Sequence, residues 1–546
     1  MRIRGKALAI VGIILGASIP ASFGGELLPA DRSIAEAVDH YVDEAIHRDG
    51  IQPAPTADDS TMIRRLMLDL AGRIPTAAEV RDFVGSSDPG KIVALVDRLL
   101  ASPGYVRHQT AELDDLLMAG QRESLRDYLA RAVGENRPWD RIFRELMLPD
   151  ESAPTGKTAA SYLKLRIKDA DRLTAEVSST FFGVNISCAQ CHDHPLVEDW
   201  KQDHFYGMKA FFERTTVLGK SKDGFLAERG FGTSRFKTTE GVERPARMMF
   251  LSGRKVTEPE ALRDATGDEK KQEKERFEKS QKEKAPPARP RFSGRVKLVE
   301  LALSPEDRGF FARAIVNRVW AQLFGRGLVM PMDQMHSANP PSHPELLDWL
   351  ARDTIAHGYD LKRLIRGMVL SHAYARESRW NAKGEPPRPS LFAVAALRPM
   401  TLEQLAASLW IATTDPSALP DDLRPAEFDR RIESIVQQGP PIAEALRSAG
   451  DGQIGVAEAL LFSNGKRIDE DLLSDRNGRL IGRMLKVSSA DDQVAIAVRN
   501  IFGREPDPEE SSVLRKYLGQ RTDRPAEACR QVVWALLTSP EFRFNH

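Results

Sequence analysis

The chain is 546 residues long and holds only three cysteines, Cys188, Cys191 and Cys529. That scarcity excludes a disulfide scaffold. Neither sign of charge is in excess, with 78 Lys+Arg against 78 Asp+Glu. No net field therefore draws the chain to nucleic acid or to an acidic surface. Beyond the N-terminus there is no apolar run long enough to cross a membrane. Clear period-2 alternation is rare, which argues against a sheet-based fold. A phosphate-binding glycine loop, a His-Glu-x-x-His helix and a Ser–His–Asp set are all missing, so no reaction is legible. Clustered acids such as Asp114-Asp115 and Asp469-Glu470-Asp471 read as solvated faces.

What is present is concentrated. Two of the three cysteines form Cys188-Ala189-Gln190-Cys191-His192. This is Cys-x-x-Cys-His, the pattern that attaches haem covalently in c-type cytochromes. A shuffled chain would show it with odds of roughly a few in ten thousand. The spacing has a mechanical reason. Residues three apart share a helix face, so both thiols reach one porphyrin. His192 follows as proximal iron ligand. The remaining Cys529, beside Val532, Val533 and Trp534, reads as a buried, inert thiol.

The N-terminus suits this chemistry. Arg2, Arg4 and Lys6 precede a small, apolar stretch from Ala7 to Ser18. Ser22-Phe23-Gly24 offers small residues to a signal peptidase, so residues 1–24 read as a secretory signal. Pro20 and the shortness of the run argue against a full span. The expected location is periplasmic or cell-surface, where covalent haem attachment takes place.

The sixth ligand is open on sequence. His204 and Met208 lie four apart on one helix face, and either can cap the iron. His194 is too close to His192 for the opposite face and is expected to line the pocket. Trp200, Phe205, Tyr206, Phe211 and Phe212 suit a haem pocket, and equally any core. Zinc is the alternative cofactor, held by Cys188, Cys191, His192 or His194, and His204. A Cys188–Cys191 redox disulfide ranks last, because a thioredoxin-like βαβ context is missing. His336 and His343 flank the Pro340-Pro341 turn, and His372 ends an amphipathic helix.

Elsewhere, capping signals predict helices. Thr76-x-x-Glu79 and Thr401-x-x-Gln404 read as capping boxes. Ser304-Pro305-Glu306-Asp307, Ser342-His343-Pro344-Glu345 and Asp507-Pro508-Glu509-Glu510 read as helix starts. Ala175 to Val184 reads as a packed helix with Gly183 near its end. Residues 295–303 alternate enough to suggest one short strand. Asp268 to Lys284 is almost all charge and reads as a solvated linker or exposed insertion, closed by Pro286, Pro287 and Pro290. The expected fold is mainly α, with few short strands. Two helical domains, 33–215 and 295–546, are separated by an irregular, charged segment over 216–294.

Several stretches resemble known families. Arg64-Arg65-Leu66-Met67-Leu68-Asp69-Leu70-Ala71-Gly72-Arg73-Ile74-Pro75-Thr76 is similar to the opening motif of the planctomycete cytochrome-associated domain of unknown function. Gly183-Val184-Asn185-Ile186-Ser187, running on through the cysteines to His194-Pro195 and Asp203-His204-Phe205-Tyr206, resembles its central motif. Asn317-Arg318-Val319-Trp320, Phe324 to Val329, Asn339 to Leu347 and Arg398 to Leu405 resemble the planctomycete-specific domain of unknown function that usually follows, as does the ending Ser539-Pro540-Glu541-Phe542-Arg543-Phe544-Asn545-His546. The resemblance implies an exported bacterial protein of two mostly helical domains, and no particular reaction. Other members often carry a cytochrome c domain for which residues 25–60 are too short; if haem needs that domain for electron transfer, a separate electron donor is expected. Three functions stay open: a mono-haem protein for electron transfer or redox sensing, a scaffold with a zinc or metal-free Cys/His cluster, and an exported enzyme with its site between the domains.

Overall fold

The computed structural model describes residues 27–119, 121, 124–193, 197–219, 224–259, 265–381, 383–420, 423–450 and 465–546. The expected signal segment, 1–24, and His194 lie outside the described residues. The fold is mainly helical. Among the described residues the strands form three two-stranded antiparallel sheets, such as Thr215–Leu218 on Phe225–Glu228. No described helix is long and apolar enough to cross a membrane.

The local signals set most helix starts. Thr76 accepts from the Glu79 N–H at 3.2 Å, and Glu79 returns a bond to the Thr76 N–H, opening helix Ala77–Gly85. Thr401 and Gln404 do the same for Leu402–Thr413. Asp507 caps Pro508–Gly519. His343 is the N-cap residue of Pro344–Ala356. Cys529 is 1% exposed, inside helix Pro525–Leu537.

Three expectations are corrected. Residues 295–303 are not a strand but most of helix Gly294–Ala302, capped by Ser293. Arg295, Leu298, Val299 and Ala302 are its buried residues, a spacing of three and four that a nine-residue window also lets pass as alternation. Ser304 does not cap a helix; the next one, Arg308–Phe324, starts four residues later. Its cap groups are already engaged, with Arg254 reaching the Ser304 hydroxyl at 3.0 Å and the Asp307 carboxylate at 3.1 Å. Asp114 is not on a solvated face. It is buried and accepts from the Leu125 N–H, the Ser124 hydroxyl and Arg126.

The charged segment is a helix, Gly267–Glu283, opened by a Thr266–Glu269 capping box. It has no apolar face, yet it is docked. Glu273 accepts from the Gly230 N–H at 3.0 Å and Arg276 donates to the Glu228 carbonyl at 3.1 Å. The segment does not coincide with a gap in the core. One apolar cluster runs from Ile34 to Ala393, taking in residues on both sides of it. A second spans Met400 to Phe542 and reaches back only to Leu68 and Ile74.

Candidate functional site

The Cys-x-x-Cys-His stretch is built from the end of a helix. Ala170–Phe182 stops at Gly183, whose φ of 67° is the left-handed conformation of a C-terminal cap. Val184 and Ile186 then plunge into the core at 1% and 0% exposure and pin the chain. Between them Asn185 stays half-buried, and its side-chain oxygen accepts from the Ser187 N–H at 3.1 Å. This Asx turn feeds the 3₁₀ turn Ser187–Gln190. In a 3₁₀ turn residues three apart eclipse. Ala189 is the inward residue, and Cys188 and Cys191 are exposed with free thiols. The Cys191 N–H donates to the Cys188 carbonyl at 3.4 Å, which closes the turn.

A second helix, Gln202–Ala210, supports the turn from behind. Gln202 Nε2 donates to the Cys191 carbonyl at 3.0 Å, and the Gln202 N–H to Asp193 Oδ1 at 3.0 Å. Tyr206, one turn on, donates to the Gln190 carbonyl at 3.1 Å while its ring stacks on Phe236 at 4.3 Å. His192 is exposed, and its Nδ1 lies 2.7 Å from the Asp193 carbonyl oxygen. A carbonyl only accepts, so Nδ1 donates in this contact.

The other sequence candidates are placed differently. His204 Nδ1 accepts from the Lys201 N–H at 3.2 Å, capping its own helix, and its ring meets Trp200 edge-on at 5.7 Å. Burial holds its pKa below the usual histidine value. Met208 is fully buried in the core, as are Phe205, Phe211 and Phe212. The aromatic density downstream of the motif thus belongs to the core. Among the described residues, no group of three or more His, Cys, Asp and Glu side chains converges as a metal site. Of the zinc set, Cys188, Cys191, His192 and His204 do not converge there, and the alternative His194 lies outside the described residues.

A third element completes the surroundings, and sequence reasoning missed it. The loop Pro331 to Asn339 meets residues 183–185 before the cysteine turn and Asp199 after it. The Asn185 N–H donates to the Asp333 carbonyl at 2.7 Å, and Asn185 Nδ2 to Asp333 Oδ2 at 3.1 Å. The Met335 N–H donates to the Gly183 carbonyl at 3.0 Å, and Val184 bridges to Gln334. At the far end the Ser337 N–H donates to Asp199 Oδ2 at 2.8 Å. The Asn185-x-Ser187 turn could have been read from its residue types. Nothing local announces Asp333, which is 148 residues away.

The residues present fit a covalently attached haem. Two free, exposed thiols lie three residues apart on one turn, beside an exposed imidazole whose Nδ1 is engaged by a backbone carbonyl. Residues 37–217 match the family model described as "PSCyt2: Protein of unknown function (DUF1549)". Residues 294–433 match the one described as "PSD1: Protein of unknown function (DUF1553)". No curated protein and no solved structure matches the chain. The cysteine motif falls inside the first match and the loop 331–339 inside the second. The chain therefore carries two family domains of unknown function, in that order from N- to C-terminus.

Proposed function

We propose that the protein is an exported c-type haem protein serving electron transfer or redox sensing. The observation that carries this reading is the exposed pair Cys188 and Cys191 on one 3₁₀ turn, next to a His192 whose Nδ1 is tied to a carbonyl. Bound haem supplies a one-electron couple. Cys188 and Cys191 would hold the group through thioether bonds, for which both thiols must be reduced, and both are free. Ala189, Val184 and Ile186 hold the turn on the core, and Gln202 and Tyr206 hold its carbonyls. The Asp193 carbonyl fixes the His192 tautomer, as an outer-shell acceptor does for a metal-bound histidine. The basic start Arg2, Arg4 and Lys6 before an apolar stretch supports export, which places the chain with the attachment machinery.

The test is expression of the full chain with a cytochrome maturation system, followed by denaturation, mass spectrometry and a pyridine haemochrome spectrum. The expected result is a mass gain of one haem that survives denaturation and is lost in Cys188→Ser/Cys191→Ser. In His192→Ala the haem stays tethered and changes spin state. An apoprotein mass, with or without bound zinc, overturns the reading.

A further inference from the structure

A groove of about 440 Å³ lies between helices Arg308–Phe324 and Pro344–Ala356, both inside the second family match. That volume falls within the range of small-ligand sites. Three arginines line the groove, Arg308, Arg313 and Arg352, against a single carboxylate, Asp348. Ile355 and Ala356 add an apolar side. We propose that this groove binds a phosphate monoester carried on a small apolar body. The inference goes beyond the haem reading and does not depend on it.

Charge decides the class of ligand. Asp348 is taken by Arg313, whose Nε and Nη2 both lie 2.7 Å from its Oδ1, so that pair is neutral. Arg352 donates to the Leu28 carbonyl at 2.5 Å, which holds the side chain and leaves its charge uncompensated. Arg308 forms no ion pair and no side-chain hydrogen bond among the described residues. The two acids that precede it, Glu306 and Asp307, belong to Arg254 at 2.8 and 3.1 Å. Asp353, the acid that follows Arg352, is buried against Arg363. The groove thus keeps a surplus of two positive charges. A phosphate monoester carries about two negative charges above pH 7 and matches that surplus, which a sulfate ester or a monocarboxylate does not. A guanidinium meets phosphate oxygens two at a time, and Arg352, tied to Leu28 in advance, loses less freedom on binding. Ile355 is half-buried and Ala356 exposed on the same groove, so they can cover an apolar substituent.

The experiment is calorimetric titration of the full chain with phenyl phosphate, inorganic phosphate and phenyl sulfate. The variants are Arg308→Gln, which removes an unpaired charge, and Ala356→Trp, which fills the groove and keeps all three arginines. Thermal unfolding checks that both stay folded. Expected is saturable binding of one phenyl phosphate per chain, tighter than that of inorganic phosphate or phenyl sulfate. Arg308→Gln should weaken it by about tenfold or more, the worth of one charge-assisted contact. Ala356→Trp should abolish it. The absence of saturable binding overturns the proposal, and so does unchanged affinity in either variant. Phenyl sulfate bound as tightly as phenyl phosphate overturns the charge match, and inorganic phosphate bound as tightly overturns the apolar body. Each of these failures leaves the haem reading standing.

Discussion

Gly183 shows how much of the site rests on single atoms. Its φ of 67° disfavours any side chain, and an added Cβ would stand 2.8 Å from the Met335 sulfur. Gly183→Ala therefore strains the helix end and pushes the loop off the cysteine turn together. A loss of about 2 kcal/mol is expected from the left-handed residue and the displaced contact. Thermal unfolding reads the loss, and hydrogen exchange at Met335 and Asn185 shows whether the loop has lifted. The cysteines separate just as sharply. Cys188 and Cys191 are exposed, whereas burial pushes the Cys529 thiol up to about 11. In the haem-free protein at pH 8, iodoacetamide should label Cys188 and Cys191 and leave Cys529 untouched until denaturant is added. Labelling of native Cys529 at a similar rate would contradict its burial.

Among the elements, helix Asp59–Ala71 does more than its sequence announces. Its Asp69 is buried and accepts from both Arg398 nitrogens at 2.8 and 2.7 Å, from the Tyr374 hydroxyl at 2.7 Å and from Asn545 at 2.8 Å. Arg64, one face over, holds the Phe542 carbonyl at 2.7 Å. One helix thereby ties the strand pair Arg398–Pro399 and Phe544–Asn545 to the rest of the chain. Asp69→Ala leaves Arg398 without its counter-charge and is expected to cost about 3–5 kcal/mol in urea unfolding. Pairing it with Arg398→Met should recover part of that loss, which a purely steric role would not allow. Capping boxes such as Thr76–Glu79 were legible because both partners lie within four residues. The Ser304 start was not, because its cap groups serve Arg254, fifty residues upstream. The cysteine motif was legible from spacing, and its exposure follows from the local turn. Its second wall was not, because Asn185–Asp333 and Asp199–Ser337 are contacts between distant loops that no periodicity encodes. A double-mutant cycle on Asn185→Ala and Asp333→Ala should give a coupling of about 1 kcal/mol.

At the scale of the whole molecule, the charged helix divides the sequence but not the core, since a single apolar cluster runs from Ile34 to Ala393. Acid should therefore be felt in the core itself, through histidines buried neutral within it. Burial holds His108 down to about 4, with Asp69 opposing and Arg107 and Arg398 assisting. Burial, aided by Arg48 and Arg388, does the same to His343, also to about 4. Both regain an ordinary value near 6.5 on unfolding. Between about pH 4.5 and 6.5 the unfolded chain thus binds two protons that the folded chain refuses, and stability falls as pH falls. Glu112, 3.9 Å from His108, works against them. Burial, with Asp115 and Glu403 nearby, pushes it up to about 7, so the folded state keeps a proton there that the unfolded chain releases. Two against one, these three groups contribute a stability that rises by about 1 kcal/mol per pH unit across that window. His204 and His546, also shifted down by burial, steepen the slope, while Asp115, Asp140, Glu213 and Asp429, raised by burial, flatten it. Glu112→Gln removes the opposing proton and should raise the slope by about 1.4 kcal/mol per unit, while His343→Gln should lower it by the same amount. Urea unfolding of the haem-free protein at half-unit steps from pH 4.5 to 6.5 measures all three slopes. A His343→Gln slope equal to that of the unsubstituted chain would mean that this histidine is charged in the folded protein, against its burial beside Phe392.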